Sequence, residues 1–136
     1  MWLSSCDNPQ AIQRLYDSAD GLERVELFEA VLQRDGPRLQ LRLELPRFPD
    51  HPPARWHAEA NAVQVVLDLW GAADLSIQGW ESSNVGRFTL ARNGDALHAS
   101  FVSQGMRLRA RCASARIAEV REYTSGPPEA GGDAAG

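Results

Sequence analysis

No lysine occurs in this sequence of 136 residues, and all 14 of its basic residues are arginine. Genome base composition explains this bias more simply than phosphate recognition, a role in which arginine is also favoured over lysine. With 18 acidic residues, the formal net charge is −4 at pH 7. A mildly acidic chain argues against general nucleic-acid binding, which needs a basic surface that releases counterions from the phosphates.

Cysteine and long apolar runs are also scarce. Cys6 and Cys112 lie far apart and form no CxxC pair, so no metal or redox motif is present. Two free thiols in a reducing cytosol are the simpler interpretation, although a disulfide stays open. Residues 3–6 resemble a lipoprotein cleavage site, but no apolar signal precedes them and no segment is as apolar as a membrane helix. We therefore expect a cytoplasmic protein with no membrane association.

Catalytic and metal-binding motifs are missing as well. Neither a G-x-S-x-G motif nor a glycine-rich phosphate loop occurs in an ordered context. Glu23, Glu26 and Glu29 do not converge, because Glu26 points to the opposite face of a strand from the other two. The sequence has three histidines, His51, His57 and His98. Their spacing is not that of zinc ligands. The sequence thus predicts no catalytic, cofactor-binding or metal-binding residue, and we do not expect an enzyme.

The clearest pattern runs from Arg38 to Leu45, where four leucines alternate with polar side chains. A period of two places all the leucines on one face of a strand, which predicts a half-buried strand of an antiparallel sheet. The preceding segment, Val25–Leu32, is also rich in strand-forming residues. Between the two segments, Asp35-Gly36-Pro37 predicts a tight hairpin turn.

Other local signals extend this β pattern. Asn8 as a cap and Pro9 in the first turn predict one short helix over Pro9–Asp17. Asn93-Gly94-Asp95 predicts a type I′ hairpin turn. In the segment 75–80, Leu75 and Ile77 are expected to point inward. The further predicted strands are Ala62–Trp70, Leu75–Trp80, Phe88–Arg92, Ala96–Val102, Met106–Cys112 and Ala115–Tyr123. The last of these segments also fits a short helix.

These segments predict an α+β fold that is mostly β, with one short N-terminal helix. Its body is an antiparallel meander of about six to eight strands, arranged as a curved sheet, sandwich or half-barrel. We predict that residues 1–123 form a single β-rich domain. Residues 124–136 are rich in glycine, proline and alanine, which predicts a disordered tail. Alternation defines the faces of the strands but not their order.

Two groups of exposed-type residues are candidates for partner contact. Arg107, Arg109 and Arg111 form a basic stripe on one strand. We expect these arginines, together with Arg38 and Arg42, to pair with acidic cross-strand neighbours; contact with a partner is the alternative. Trp56 lies in a proline-rich loop, and Trp80-Glu81 ends a strand beside a polar loop. Core burial is the favoured interpretation for both tryptophans, and binding is the alternative.

From about Asn8 to Tyr123 the chain resembles the immunity protein 50 family of bacterial polymorphic toxin systems. The stretches that carry the resemblance are Val25–Leu27 through Arg34–Pro37, the alternating strand into Leu45–Asp50, Pro52–Trp56, Asn61–Val65, Asp74–Trp80 and Arg109–Cys112. All of them are structural motifs, with no catalytic residue among them.

The resemblance implies a small cytosolic antidote that binds the toxin domain of a cognate effector and blocks its activity. No contact motif of the family transfers to individual positions. Because loops at the ends of a rigid sheet commonly carry function, the residues expected to bind the partner are Asp50, Trp56, Trp80 and Glu81.

Two alternatives to this function remain. One is a ligand- or carbohydrate-binding module with tryptophans on a concave face, and the other is an enzyme with a site assembled from scattered residues.

Overall fold

A computed structural model describes residues 1–124 of the chain and shows a mostly β, antiparallel fold, as predicted. Apart from Thr124, the tail predicted to be disordered lies outside the described residues. A 3₁₀ turn at Trp2–Ser5 and a short helix, α1, at Gln10–Gln13 come first. The strands are β1 (Arg24–Gln33), β2 (Arg38–Glu44), β3 (Ala62–Trp70), β4 (Ala73–Gln78), β5 (Val85–Asn93), β6 (Ala96–Ser103), β7 (Arg107–Cys112) and β8 (Ser114–Tyr123).

All eight strands belong to one sheet, in the order β4-β7-β6-β5-β1-β2-β3-β8. Two three-stranded meanders, β1-β2-β3 and β5-β6-β7, meet where β1 pairs with β5. That junction is short, since the register covers only Arg24–Glu26 of β1 and Val85–Arg87 of β5. The strands β4 and β8 cross over to opposite edges. The segment 115–123, for which a helix was the alternative, is therefore a strand.

The sheet curves enough to enclose its own core. β6 and β8 stand five positions apart in the strand order and nevertheless come into contact. The leucines of the alternating strand β2 and the aromatic residues of the other meander belong to the same buried cluster. Leu39, Leu41, Leu43, Phe88 and Phe101 are all fully buried within it. The alternation in β2 thus identified the core face correctly.

The N-terminal segment closes one side of this core, but with less helix than the sequence predicted. Trp2 is almost fully buried, packs edge-on against Phe88 with 5.4 Å between ring centroids, and donates its indole N–H to the Leu22 carbonyl (3.1 Å). The helix covers only Gln10–Gln13 instead of Pro9–Asp17, and Pro9 occupies the N-cap position without a side-chain hydrogen bond. The residues after Gln13 make tertiary contacts and do not continue the helix. The Tyr16 hydroxyl, for example, donates a hydrogen bond to the Arg47 carbonyl (2.7 Å).

The prediction that Asn8 caps the helix is wrong, because its amide group serves another element. Asn8 Nδ2 donates to the Ile117 carbonyl (2.9 Å), and the Ile117 backbone N–H donates to Asn8 Oδ1 (2.8 Å). Next to it, the Asp7 N–H donates to the Ala115 carbonyl (2.8 Å). These bonds pair the backbone groups of Ala115 and Ile117 on the free edge of β8, where an exposed strand edge would otherwise leave them unpaired.

Two smaller predictions also need correction. In the loop between β5 and β6, Gly94 has φ +67° and Asp95 has a negative φ, which is the pattern of a type II′ turn and not of type I′. Ile77 lies opposite Leu108 on the core side of β4, yet it is 42% exposed because β4 is an edge strand. Leu75 is partly buried against the core, as expected.

Candidate partner-binding surface

Asp50, the first of the four residues expected to bind a partner, is engaged within the chain. Its carboxylate accepts a hydrogen bond from the Asp17 backbone N–H (2.8 Å) and lies 3.8 Å from the Arg47 guanidinium. Arg47 also donates to the carbonyls of Ser18 (2.6 Å) and Asp20 (3.0 Å). The structure therefore gives Asp50 a role in holding the proline-rich loop against residues 17–20.

A histidine adjoins this group of residues. The Nε2 atom of His51 lies 2.5 Å from the Asp17 carboxylate. This hydrogen bond and the negative charge of Asp17 raise the pKa of His51 above its usual value. Both side chains are mostly exposed, so the pair contributes little to folding in water.

Trp56 is half-buried, with its ring edge-on to Phe48 at a centroid distance of 5.9 Å. It lines a small cavity beside Leu15 and Ile117. The neighbouring His57 backbone N–H donates to the Glu122 carboxylate (2.9 Å), and this bond lowers the pKa of Glu122. The loop is therefore tied to β8, and Trp56 plugs this end of the core, as the favoured interpretation predicted.

Trp80 is different, because it is 48% exposed and the prediction of core burial is wrong. The adjacent turn is fixed by Asn84, whose side chain is almost completely buried. Asn84 Oδ1 accepts from the Glu81 backbone N–H (3.0 Å), and Nδ2 donates to the Glu81 carbonyl (2.8 Å). The Glu81 side chain lies over Gly105, in a depression that Arg24 and Arg87 also line. Trp80 and Glu81 lie in the connection between β4 and β5, whereas Asp50 and Trp56 lie in the loop between β2 and β3.

A basic surface adjoins Trp80 and Glu81 on the outer side of the sheet. We call it the arginine face and define it by Arg24, Arg87, Arg107, Arg109 and Arg111, all of which are exposed. The sheet register creates it: Arg107 lies opposite Val102, Val102 opposite Arg87, and Arg87 opposite Arg24, so that one row crosses four strands. His98, opposite Arg111, adds a further titratable group to the face.

Acidic neighbours are few on the arginine face. Within residues 1–124, Arg111 pairs with Asp74 at 2.8 Å, whereas Arg107 and Arg109 form no ion pair. The cross-strand neighbours of Arg109 are Ser76 and Ser100. Of the three arginines of the stripe, only Arg111 therefore fulfils the prediction of pairing with an acidic neighbour, which Arg38 and Arg42 also fulfil. Sequence reasoning also missed Arg24 and Arg87, because only the pairing of β1 with β5 brings them together.

The outer side of the other meander shows what a paired surface looks like in the same protein. Asp68, which is 6% exposed, accepts hydrogen bonds from Gln40 (2.8 Å) and Arg38 (3.4 Å). The Arg38 guanidinium also stacks 4.9 Å from the Trp70 ring centroid. Arg42 lies 3.3 Å from the Glu29 carboxylate. Arg38 and Arg42 of β2 are therefore both paired with carboxylates, whereas on the arginine face Arg111 alone is paired within residues 1–124.

The tryptophans occupy four different settings. Trp2 is in the core, Trp56 packs against Phe48, Trp70 stacks beneath Arg38, and Trp80 is exposed at the end of β4. This separation gives no support to a ligand-binding module whose tryptophans line one concave face.

The two cysteines of the chain are both buried. Cys6 and Cys112 are free, and burial raises the pKa of Cys6 to about 12 and that of Cys112 to about 11. No group of three or more His, Cys, Asp or Glu side chains in residues 1–124 is arranged to hold a metal ion. None of the helices in this part of the chain is long and apolar enough to span a membrane.

The fold and the surface define a class: a small antiparallel β protein that exposes arginine and tryptophan side chains, which are residue types enriched at protein interfaces. The chain belongs to the family described as Immunity protein 50, whose model matches residues 8–123. The resemblance drawn from the sequence is thereby confirmed, and the family name implies an immunity protein. Neither a curated protein nor a solved structure matches the chain.

Proposed function

We propose that this protein is an immunity protein that binds the toxin domain of a cognate polymorphic toxin and neutralises it through protein–protein contact. The observation that carries the proposal is family membership over residues 8–123. The exposed arginine face and Trp80 support it, because a protein of this class needs a surface that a partner can cover. The proposed activity requires no cofactor and no membrane.

Co-expression tests the proposal directly. The toxin domain encoded beside this chain is induced with the chain, with an empty vector and with an unrelated immunity protein, and surviving cells are counted. We expect survival only with this chain, together with co-purification of the two proteins. If the folded chain is present and the cells die as they do with the empty vector, the proposal is wrong for that toxin.

Direct binding separates neutralisation from an indirect effect on the cell. The purified chain and an inactivated toxin domain are mixed and passed through a sizing column. A complex that elutes earlier than either protein supports contact between them. Rescue without a complex would mean that the chain protects by another route, and it would contradict the proposed mechanism.

A further inference from the structure

We infer that the arginine face is the docking surface for the toxin and that its occupant is an acidic protein surface. This inference rests on the proposed function and names the chemistry of the partner. Guanidinium groups are the side chains best suited to bind carboxylates, since they present several donors in a fixed planar arrangement.

The first argument is that the arginine face opposes the stability of the fold. Arg24 and Arg87 are direct cross-strand partners, and like charges in that position are destabilising. On β7, side chains two residues apart are about 6–7 Å from each other along the strand, and of its three exposed arginines only Arg111 has an ion-pair partner among the described residues. Repulsion of this kind is relieved when carboxylates of a partner come between the guanidinium groups.

The second argument is charge segregation. The whole chain carries a net charge of −4, yet of the five arginines of the arginine face only Arg111 has an ion-pair partner, Asp74, within residues 1–124. A positive surface on an acidic protein attracts an acidic partner while the rest of the molecule repels the wrong orientations. Association with such a partner should therefore be oriented and should weaken as salt is added.

The third argument distinguishes a protein from a nucleic acid. Val85 and Val102 are 41% and 42% exposed and lie beside Arg24 and Arg87, in a depression that also contains Glu81. Exposed valines and a carboxylate suit a protein surface with mixed apolar and charged groups. A phosphate backbone would leave the exposed valines without apolar contacts. The centre of the face, between Ser76, Thr89 and Ser100, is a shallow depression of about 490 Å³ that can receive side chains of the partner.

The experiment measures the affinity of the purified chain for the inactivated toxin domain at low and high salt. The test variant is Arg107→Glu/Arg109→Glu. The matched control is Arg34→Glu/Arg121→Glu, whose side chains are 92% and 65% exposed, the first in the turn between β1 and β2 and the second on β8. Both variants change the net charge from −4 to −8, since each substitution subtracts two charges from the wild-type value. Circular dichroism verifies the fold, and Arg107→Gln/Arg109→Gln replaces the test variant if it does not fold.

We expect the test variant to lose at least about tenfold in affinity, with the control remaining within about threefold of wild type, because only the former alters charges in the interface. Equal affinity of the test variant and wild type would overturn the arginine face as the docking surface while leaving the proposed function intact. An equal loss in both variants would also overturn it, since net charge alone would then explain the effect. Failure of the wild-type chain to bind or protect would instead contradict the proposed function.

A nucleic-acid control completes the test. A labelled 20-base-pair DNA duplex and an RNA hairpin are titrated with wild type and with the test variant in the same low-salt buffer. We expect neither to bind. Binding by wild type that is lost in Arg107→Glu/Arg109→Glu would assign the arginine face to nucleic acid and overturn the acidic protein partner.

Discussion

Asn8 and Ile117, separated by 109 positions in the chain, exchange two hydrogen bonds between one side-chain amide and one backbone unit. The amide of Asn8 thus takes the place of a neighbouring strand at the edge of β8. We expect Asn8→Ala to lower the free energy of unfolding by about 1–3 kcal/mol, because it leaves the N–H and C=O of Ile117 without partners. Urea denaturation measures this. Gln10→Ala, on an exposed side chain nearby, is the control, and an equal effect in both variants would refute the role of Asn8.

Asn84 holds the turn that presents Trp80 and Glu81, so its removal should affect both the fold and the binding of the toxin. We expect Asn84→Ala to destabilise the protein by about 1–2 kcal/mol, since two hydrogen bonds of a buried side chain are lost. Asn84→Asp retains the acceptor for the Glu81 N–H but turns a second acceptor oxygen toward the Glu81 carbonyl in a buried site, so it should be destabilised at least as much as the alanine variant. Thermal unfolding and toxin affinity are measured together. Ser82→Ala, at an exposed position of the same turn, should change neither quantity.

Gly105 and Gly86 provide a matched pair of substitutions beside the arginine face. A Cβ atom at Gly105 would meet the flexible carboxylate of Glu81, whereas one at Gly86 would meet the backbone carbonyl of Val102 at 2.1 Å. Only the former can move aside without distorting a strand. We expect Gly105→Ala to change stability by less than about 0.5 kcal/mol and Gly86→Ala to cost roughly 1–3 kcal/mol. Similar losses in denaturant titrations of the two variants would contradict this interpretation.

The like-charge pair of Arg24 and Arg87 predicts a stability that depends on salt. Arg87→Gln should raise the free energy of unfolding by about 0.2–1 kcal/mol at low ionic strength, because it removes the repulsion between direct cross-strand partners. The gain should shrink as salt shortens the screening length. Thermal unfolding at several salt concentrations measures both effects. Arg116→Gln, opposite Asp68 on the other meander, should give no gain, and a gain at both positions would indicate a general effect of net charge.

His51 should titrate above its usual pKa, because protonation strengthens its hydrogen bond to Asp17. A pKa that is raised on folding contributes stability that is fully present below the unfolded value, near 6.5, and is lost as the pH rises through the folded value. NMR titration of the His51 ring protons measures the shift. In Asp17→Asn the pKa should return toward 6.5, and an unchanged titration curve in that variant would exclude Asp17 as the cause.

The tests of function and of stability address different parts of the molecule. Asn8 bonds to Ile117 of β8, and Asp17 bonds to Asp50 and His51 of the proline-rich loop, so none of these contacts involves Arg107 or Arg109, the two positions changed in the binding variant. A stability defect at Asn8 therefore has no bearing on which surface the toxin contacts.

Local patterns were sufficient for the strands. Alternation in β2 identified Leu39, Leu41 and Leu43 as core residues, since neighbouring side chains of a strand must point to opposite faces. The short helix was overestimated because helical spacing at Ile12 and Leu15 also fits an irregular segment that packs on the core. For the candidate site, the sequence indicated Trp80 and Glu81, but it assigned Trp80 to the core.

The sequence by itself determined the approximate position of most strands, the apolar face of β2, and the stripe of arginines on β7. The tertiary structure alone decided that β1 pairs with β5, that Arg24 lies opposite Arg87, and that Asp74 is the acid beside Arg111. The physical reason is that strand propensity and side-chain alternation act over a few residues. Pairing depends on contacts between segments far apart in the chain, and a shift in register would place different side chains beside each other.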